Sequence, residues 1–264
     1  MDPWAGLVAQ AKGGVVVSTV SVVDVPVHSV DLAGALAYVD RLIETGRPHY
    51  NVAINAAKVV AFQKDARLRE SICGAHLLTA DGQSVVWAAR LLGRRLPGRV
   101  AGADLMQELL AHAARRGYSV YLLGAREDVV QACVDRAARL HPNLRIAGHR
   151  NGYFSSDEEP DVVAAIREAA PDILFLGFGT PAKEYFMSRY CAELGVPFVM
   201  GVGGTFDVLA GLVKRAPLWM QRSGLEWFYR LAQEPRRMWK RYLVGNTKFA
   251  ALVARELVSR RRRP

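Results

Sequence analysis

Asp81 lies in Thr79-Ala80-Asp81-Gly82-Gln83, directly after a short apolar run. A carboxylate held there can take a proton from an attacking hydroxyl. It can equally cap the helix that follows, because Asp is favoured at an N-cap, and the two roles can coexist. Later in the chain, Gly177-Phe178-Gly179-Thr180-Pro181-Ala182 spells G-x-G-x-x-A, the pattern of a dinucleotide site when it joins a strand to a helix. The next apolar run, Pro197 to Gly201, lacks the terminal acidic residue that would hold a ribose. A phosphate or sugar at the helix N-terminus is the other use of such a turn. A second glycine turn, Gly201-Val202-Gly203-Gly204-Thr205, precedes Asp207. Its glycines permit close approach of backbone to a ligand, or simply a tight turn.

Other chemistries are excluded by pattern. There is no G-x-x-x-x-G-K-[ST] phosphate loop and no G-x-S-x-G nucleophile elbow. His28, His49, His76, His112, His141 and His149 show no metal-ligand spacing. Cys73, Cys133 and Cys191 form no C-x-x-C, which fits a reducing cytosol better than a disulfide framework. No D-x-D occurs, and Asp157-Glu158-Glu159 sits where a helix should start and acids suit the dipole. If a nucleotide diphosphate is the leaving group, its charge must then be met by Arg, Lys and backbone N–H groups.

The elements that must position these residues follow from hydrophobic periodicity. Val15 to Val25 reads as a strand or hairpin, and Asp31 caps a helix bearing Leu32, Leu36, Val39 and Leu42 that stops at Gly46. Tyr50 to Ile54 is a buried strand ending at Asn55. A short helix spans Asp65 to Ile72, a strand runs from Ala75 to Ala80, and a helix carries Val85, Val86 and Leu91. Ala103 to Arg116 is an amphipathic helix closed by Gly117. A regular alternation follows: strands at Ser119–Leu123, Leu144–Ala147, Asp172–Gly177 and Pro197–Gly201, helices at Glu127–Leu140, Asp157–Ala169 and Pro181–Leu194. Short strands between amphipathic helices predict an α/β fold, a Rossmann-like, mostly parallel sheet covered on both faces. Asn55, Asp81, Gly124, Tyr153, Gly179, Lys183, Gly203 and Asp207 then share the rim beyond the carboxyl ends of the strands, where such sheets bind ligands.

The 264 residues carry a net charge of +10, with 51% hydrophobic and 23% charged residues. Residues 214–264 hold 14 Lys and Arg against 3 Asp and Glu, whereas the rest is close to neutral. This tail has no strand-like runs and divides at Gly224, Pro235 and Gly245 into Leu225–Gln233, Arg236–Leu243 and Lys248–Arg260. Trp219, Trp227, Phe228, Trp239 and Tyr242 interleave with Arg222, Arg230, Arg236, Arg237, Lys240 and Arg241. Such a segment suits an anionic partner and an interfacial position. No secretory signal and no run of roughly 20 apolar residues is present, so a soluble or peripheral protein is expected.

Several motifs resemble the WecB/TagA/CpsF family of bacterial glycosyltransferases (glycosyltransferase family 26). They are Asp81-Gly82-Gln83-Ser84-Val85-Val86-Trp87, Arg99-Val100-Ala101-Gly102-Ala103-Asp104, Tyr121-Leu122-Leu123-Gly124, Asn151-Gly152-Tyr153-Phe154, Gly201 to Asp207, Val213 to Pro217 and Leu225 to Pro235, in order along nearly the whole chain. The resemblance implies a fold of GT-E type: an α/β catalytic domain over residues 1–213 and a helical appendage over 214–264 that docks at the membrane and completes the active site. It implies inverting, metal-independent transfer from a UDP-sugar to a hydroxyl of an undecaprenyl-diphosphate-linked sugar, for teichoic acid, capsule or exopolysaccharide, at the cytoplasmic face of the membrane. By position, Asp81 matches the general base, Asn55 a residue of the sugar pocket and Arg99 an Arg near the substrate. Tyr153 and Asp207 match positions around the uridine, and Arg230 and Arg237 match cations for the diphosphate. Self-association into a homo-oligomer stays open.

The chain departs from the family pattern at Ala53 (often Thr), at Gln83-Ser84 (often Ile-Gly) and at Ala182-Lys183 (often Lys-Gln). These changes fall where a sugar would be read. Two other functions are consistent with single features: a nucleic-acid-binding protein using the basic tail, and a nicotinamide-dependent oxidoreductase using Gly177 to Ala182. A nearly neutral main domain argues against the first, so no nucleic-acid partner is expected.

Overall fold

The computed structural model describes residues 8–10, 16–233 and 235–261, without the side chains at 8–10, 16, 222, 230, 236–238, 240–243 and 261. The chain opens with β1 (Val8–Gln10), β2 (Val16–Val22) and β3 (Val25–His28), a small antiparallel sheet in that order. Helix α1 (Leu32–Glu44) follows, started by Asp31, whose Oδ1 accepts from Gly34 N at 2.7 Å. Next come β4 (His49–Ile54), α2 (Ala56–Phe62), α3 (Ala66–Cys73), β5 (Leu77–Ala80), α4 (Gln83–Leu91) and α5 (Gly102–Arg116). The alternation then runs β6 (Ser119–Gly124), α6 (Glu127–Leu140), β7 (Arg145–Arg150), α7 (Glu159–Ala169), β8 (Ile173–Gly177), α8 (Ala182–Leu194) and β9 (Phe198–Gly201). The chain ends through α9 (Thr205–Leu209), α10 (Leu218–Arg222), α11 (Glu226–Gln233) and α12 (Pro235–Arg261).

Six strands form one parallel sheet in the order β5-β4-β9-β8-β6-β7. Alternate residues of each strand feed opposite faces. Tyr50, Val52, Ile54, Leu123, Leu174 and Val199 join one core with α2, α3, α4, α7, α8 and α12. Leu77, Val120, Leu122, Phe175, Phe198 and Met200 join the other with α1, α5, α6 and α9. The α/β fold with both faces of a parallel sheet covered is the one expected. Connections from β6 lead towards one edge and those from β8 towards the other, which opens a crevice at their carboxyl ends.

That junction is tightly closed. Gly124, at φ +135°, pairs with Gly177, and a Cβ on it would stand 2.6 Å from the Gly177 backbone. A Cβ on Gly177 would stand 2.7 Å from the Phe206 ring. Glycine is required at both for backbone and ring packing.

The structure corrects the reading of the tail. The expected break at Gly245 is absent: α12 is continuous for 27 residues. A mid-helix glycine costs only about 1 kcal/mol, and the helix is held beyond it by burial of Phe249 and Val253 in the core that contains α2. Glu256 pairs with Arg94 at 2.8 Å and accepts from Val23 N at 3.0 Å. It thereby fixes the hairpin turn where Val23 and Asp24 take φ of 52° and 61°. The last half of α12 is thus built into the α/β body. Helices α2, α9 and α10 are additions that the periodicity did not reveal.

Candidate active site

Asp81 leaves the end of β5 with its N–H bonded to Ile54 O at 2.9 Å. Its side chain caps a helix, but not the one that follows it: the N-cap of α4 is Gly82, and no side chain caps that helix. Instead Asp81 Oδ1 accepts from Gly102 N at 2.9 Å, at the first residue of α5. A carboxylate at a helix N-terminus is electrostatically favoured there. One oxygen is thus fixed, and Oδ2 has no hydrogen-bond partner among the described residues. Asn55 sits beside it, its Cβ 3.5 Å from where a Cβ on Gly82 would stand. Asn55 Oδ1 caps α2 by accepting from Lys58 N at 3.1 Å, which leaves its amide nitrogen without a partner among the described residues.

Beneath these groups lies a buried charged row. Lys58 Nζ bonds Ala53 O at 2.6 Å and pairs with Glu184 at 2.8 Å. Lys183 Nζ donates to Thr180 Oγ1 at 2.6 Å and lies 3.3 Å from Glu184. Burial pulls the Lys183 ammonium down to about 8; Lys58 adds to the shift, while Glu184 and Asp81 oppose it. Burial pushes the Glu184 carboxyl up, but Lys58 and Lys183 outweigh it and the net direction is down. Gly203, at φ +54°, lies over Lys183: a Cβ there would stand 3.7 Å from Nζ. Gly179 is exposed, and a Cβ on it would meet nothing within 4 Å.

A second group gathers beyond β6 and β7. Gly152 N bonds Ala125 O at 2.8 Å, which ties the two loops together, and Tyr153 N bonds Asn151 Oδ1 at 3.0 Å within its own loop. Tyr153 is 76% exposed, a ring open to stacking. Asp207 lies in the first turn of α9, its carboxylate 3.5 Å from where a Cβ on Gly204 would stand. Arg126 was not anticipated: it precedes α6 and forms a fork with Asp128, Nε–Oδ1 3.1 Å and Nη2–Oδ2 2.8 Å. Asp128 chiefly, then Tyr153 and Asp207, hold its guanidinium above the usual value, so these side chains share one electrostatic neighbourhood. The only sequence signal for Arg126 was its place just after Gly124 at a helix start. Asn55 and Gly124 are separated by three inter-strand spacings, about 14 Å.

Arg99 reaches towards the tail, where its Nη1 pairs with Glu226 at 2.7 Å. Arg230 and Arg237 fall on α11 and α12, and their side chains lie outside the described residues. Among the described residues no three of His, Cys, Asp and Glu form a group able to hold a metal ion. No helix, among the same residues, is long and apolar enough to cross a membrane.

The sequence model of the glycosyl transferase WecG/TagA/CpsF family matches residues 20–263. The N-acetylglucosaminyldiphosphoundecaprenol N-acetyl-beta-D-mannosaminyltransferase of Bacillus subtilis (strain 168) is 37% identical over 203 residues, covering 77% of this chain and 78% of that protein. The match takes in all six strands of the parallel sheet, the carboxylate at the head of α5 and the helices that close the chain, and on that basis the protein belongs to the WecG/TagA/CpsF family and is a glycosyltransferase.

Proposed function

We propose that the protein transfers a sugar from a UDP-sugar to a hydroxyl of an undecaprenyl-diphosphate-linked sugar, with inversion and without a metal, in cell-envelope polysaccharide synthesis. The observation that carries this reading is the carboxylate of Asp81, anchored through one oxygen to the α5 N-terminus and open through the other, on the same rim as Asn55 and Lys183. In a single in-line displacement the acceptor hydroxyl attacks the anomeric carbon. Its proton passes to Asp81 Oδ2, the bond to the diphosphate breaks, and UDP leaves with the bonding electrons. One carboxylate suffices, because the leaving diphosphate needs no proton. Asn55 and Lys183 line the sugar side, while Gly124, Tyr153, Asp207 and Arg126 form the nucleoside side. The span between the two sides is one that an extended sugar nucleotide can bridge. The relative's name supports a lipid-diphosphate acceptor and an N-acetylmannosaminyl donor; a hexose donor is the second reading, favoured by Lys183 in the sugar pocket.

Residues 214–247 serve in this reading as the membrane-facing appendage, with Arg230 and Arg237 supplying charge to the diphosphate and the last half of α12 as its anchor. The enzyme then works as a peripheral protein on the inner face of the membrane. Asp81→Asn keeps the acceptor for Gly102 N and removes the base. In an assay with UDP-sugars and a lipid-diphosphate-linked acceptor, it should lower kcat by about 10²–10⁴-fold while UDP binding is retained. Wild-type turnover in the Asn variant would remove Asp81 from the reaction, and failure of the unaltered protein to bind UDP would overturn the transferase assignment.

A further inference from the structure

Four charged side chains close into a ring between the α/β body and the tail. Arg99 Nη1 meets Glu226 Oε2 at 2.7 Å, and Arg215 Nε lies 3.5 Å from Glu226 Oε1. Arg215 Nη1 meets Asp104 Oδ1 at 2.5 Å, and Arg99 Nη2 lies 3.9 Å from Asp104 Oδ2. Charges alternate around the ring and sum to zero. The side chains of Arg99, Arg215 and Glu226 are only 15%, 15% and 12% exposed, so water screens them weakly. Two members come from the body, Arg99 in the loop before α5 and Asp104 in its first turn; two come from the tail, Arg215 before α10 and Glu226 at the start of α11.

The body half of the ring is continuous with the candidate base. Val100 N bonds Ala80 O at 2.8 Å, next to Asp81, and Gly102 N bonds Asp81 itself. On the tail side, position 230 falls one helical turn after Glu226, so an anchor at Glu226 sets the rotation and rise of the segment that carries it. The turn before α11 also seats against α4: a Cβ on Gly224 would stand 2.8 Å from Gln83 Cγ and 3.1 Å from Trp87 Cζ2.

We infer that Arg99, Asp104, Arg215 and Glu226 are positioning residues that clasp the tail onto the segment holding Asp81, and that Arg99 acts through this clasp rather than by binding substrate. The clasp rests on the transferase reading for its purpose, but not for its test. Hydrogen–deuterium exchange on the full chain reads amides of α10 and α11 against those of the parallel sheet, with no substrate present. In Glu226→Gln, which alters only the tail, exchange over residues 218–233 should quicken at least tenfold with the sheet unchanged. Arg99→Gln should do the same, and the double variant should be faster by less than the product of the two single effects, because both remove the shared Arg99–Glu226 contact. Unchanged exchange in Glu226→Gln, or effects that multiply in the double variant, would overturn the clasp. In the transfer assay both single variants should lose turnover to a similar degree. Loss in Arg99→Gln alone, with tail exchange at the wild-type rate, would return Arg99 to direct substrate contact and also overturn it. Absence of transfer in the unaltered protein would count against the transferase reading alone, and the exchange result would stand.

Discussion

Lys183 is the residue whose chemistry departs furthest from its surroundings. Its ammonium is buried beside a second lysine, with one carboxylate between them. An ordinary lysine titrates near 10.5, and burial brings this one to about 8. Between those values the unfolded chain binds more protons than the folded one, so this group makes stability rise with pH across the window and penalises folding fully below pH 8. Lys183→Gln removes the penalty and keeps a hydrogen-bonding group for Thr180. The stability gap between the variant and the wild type should therefore shift against the variant as pH is raised from 7 to 10, by on the order of 1–3 kcal/mol. Urea unfolding at several pH values measures it; a gap that does not move with pH would show that Lys183 titrates in the fold as an ordinary lysine does and carries no burial penalty. The sequence marked Lys183 as a departure facing the sugar, but not the row it belongs to. Lys58 and Glu184 are 126 positions apart, and only the adjacency of β4, β9 and β8 brings them together. Asp81 shows the same limit: a cap was foreseen, yet its partner, Gly102, lies on a helix further along.

At the scale of elements, the parallel sheet was legible because strands buried on both faces read as short apolar runs, and the helices between them carry a clear stripe. The six strands and the helices that cross between them follow the expected order, with ends shifted by a residue or a few. What escaped were elements too short or too apolar throughout to show a period: α2 spans seven residues and α9 five. The tail misled for another reason. Gly245 reads as a stop, and local propensity cannot show that Phe249 and Val253 bury against a helix nearly 200 residues earlier. Tertiary burial outweighs one glycine. Phe249 is 5% exposed, and Phe249→Ala should destabilise the α/β body by about 3–5 kcal/mol, seen as a lower urea midpoint with an unchanged slope. A loss below about 1 kcal/mol would mean that the last half of α12 is an accessory to the fold rather than part of its core.

For the whole molecule the decisive asymmetry is that of charge and exposed apolar surface. All of the excess positive charge lies in residues 214–264. The same stretch, with Leu212 just before it, exposes Leu218, Trp219, Trp227, Phe228, Trp239 and Val244, from 39% to 67%. A water-facing surface gains nothing from such side chains, whereas a bilayer interface takes the rings and an anionic leaflet takes the cations. Each basic residue near such a surface contributes about 1 kcal/mol, and burying one large aromatic side chain about 1.5–3 kcal/mol. Trp219→Ala with Phe228→Ala should therefore weaken binding to phosphatidylglycerol-containing vesicles by at least about tenfold, while leaving the melting temperature near that of the wild type, because both side chains are exposed. Co-sedimentation at low and high salt separates the two contributions. Salt should weaken what the double variant retains, since what remains is mostly electrostatic, whereas the wild type should keep the part due to its aromatics. Equal binding to neutral and anionic vesicles would assign the tail's cations to the lipid-linked diphosphate alone, and no binding to either would place the aromatic surface against another protein instead of a membrane.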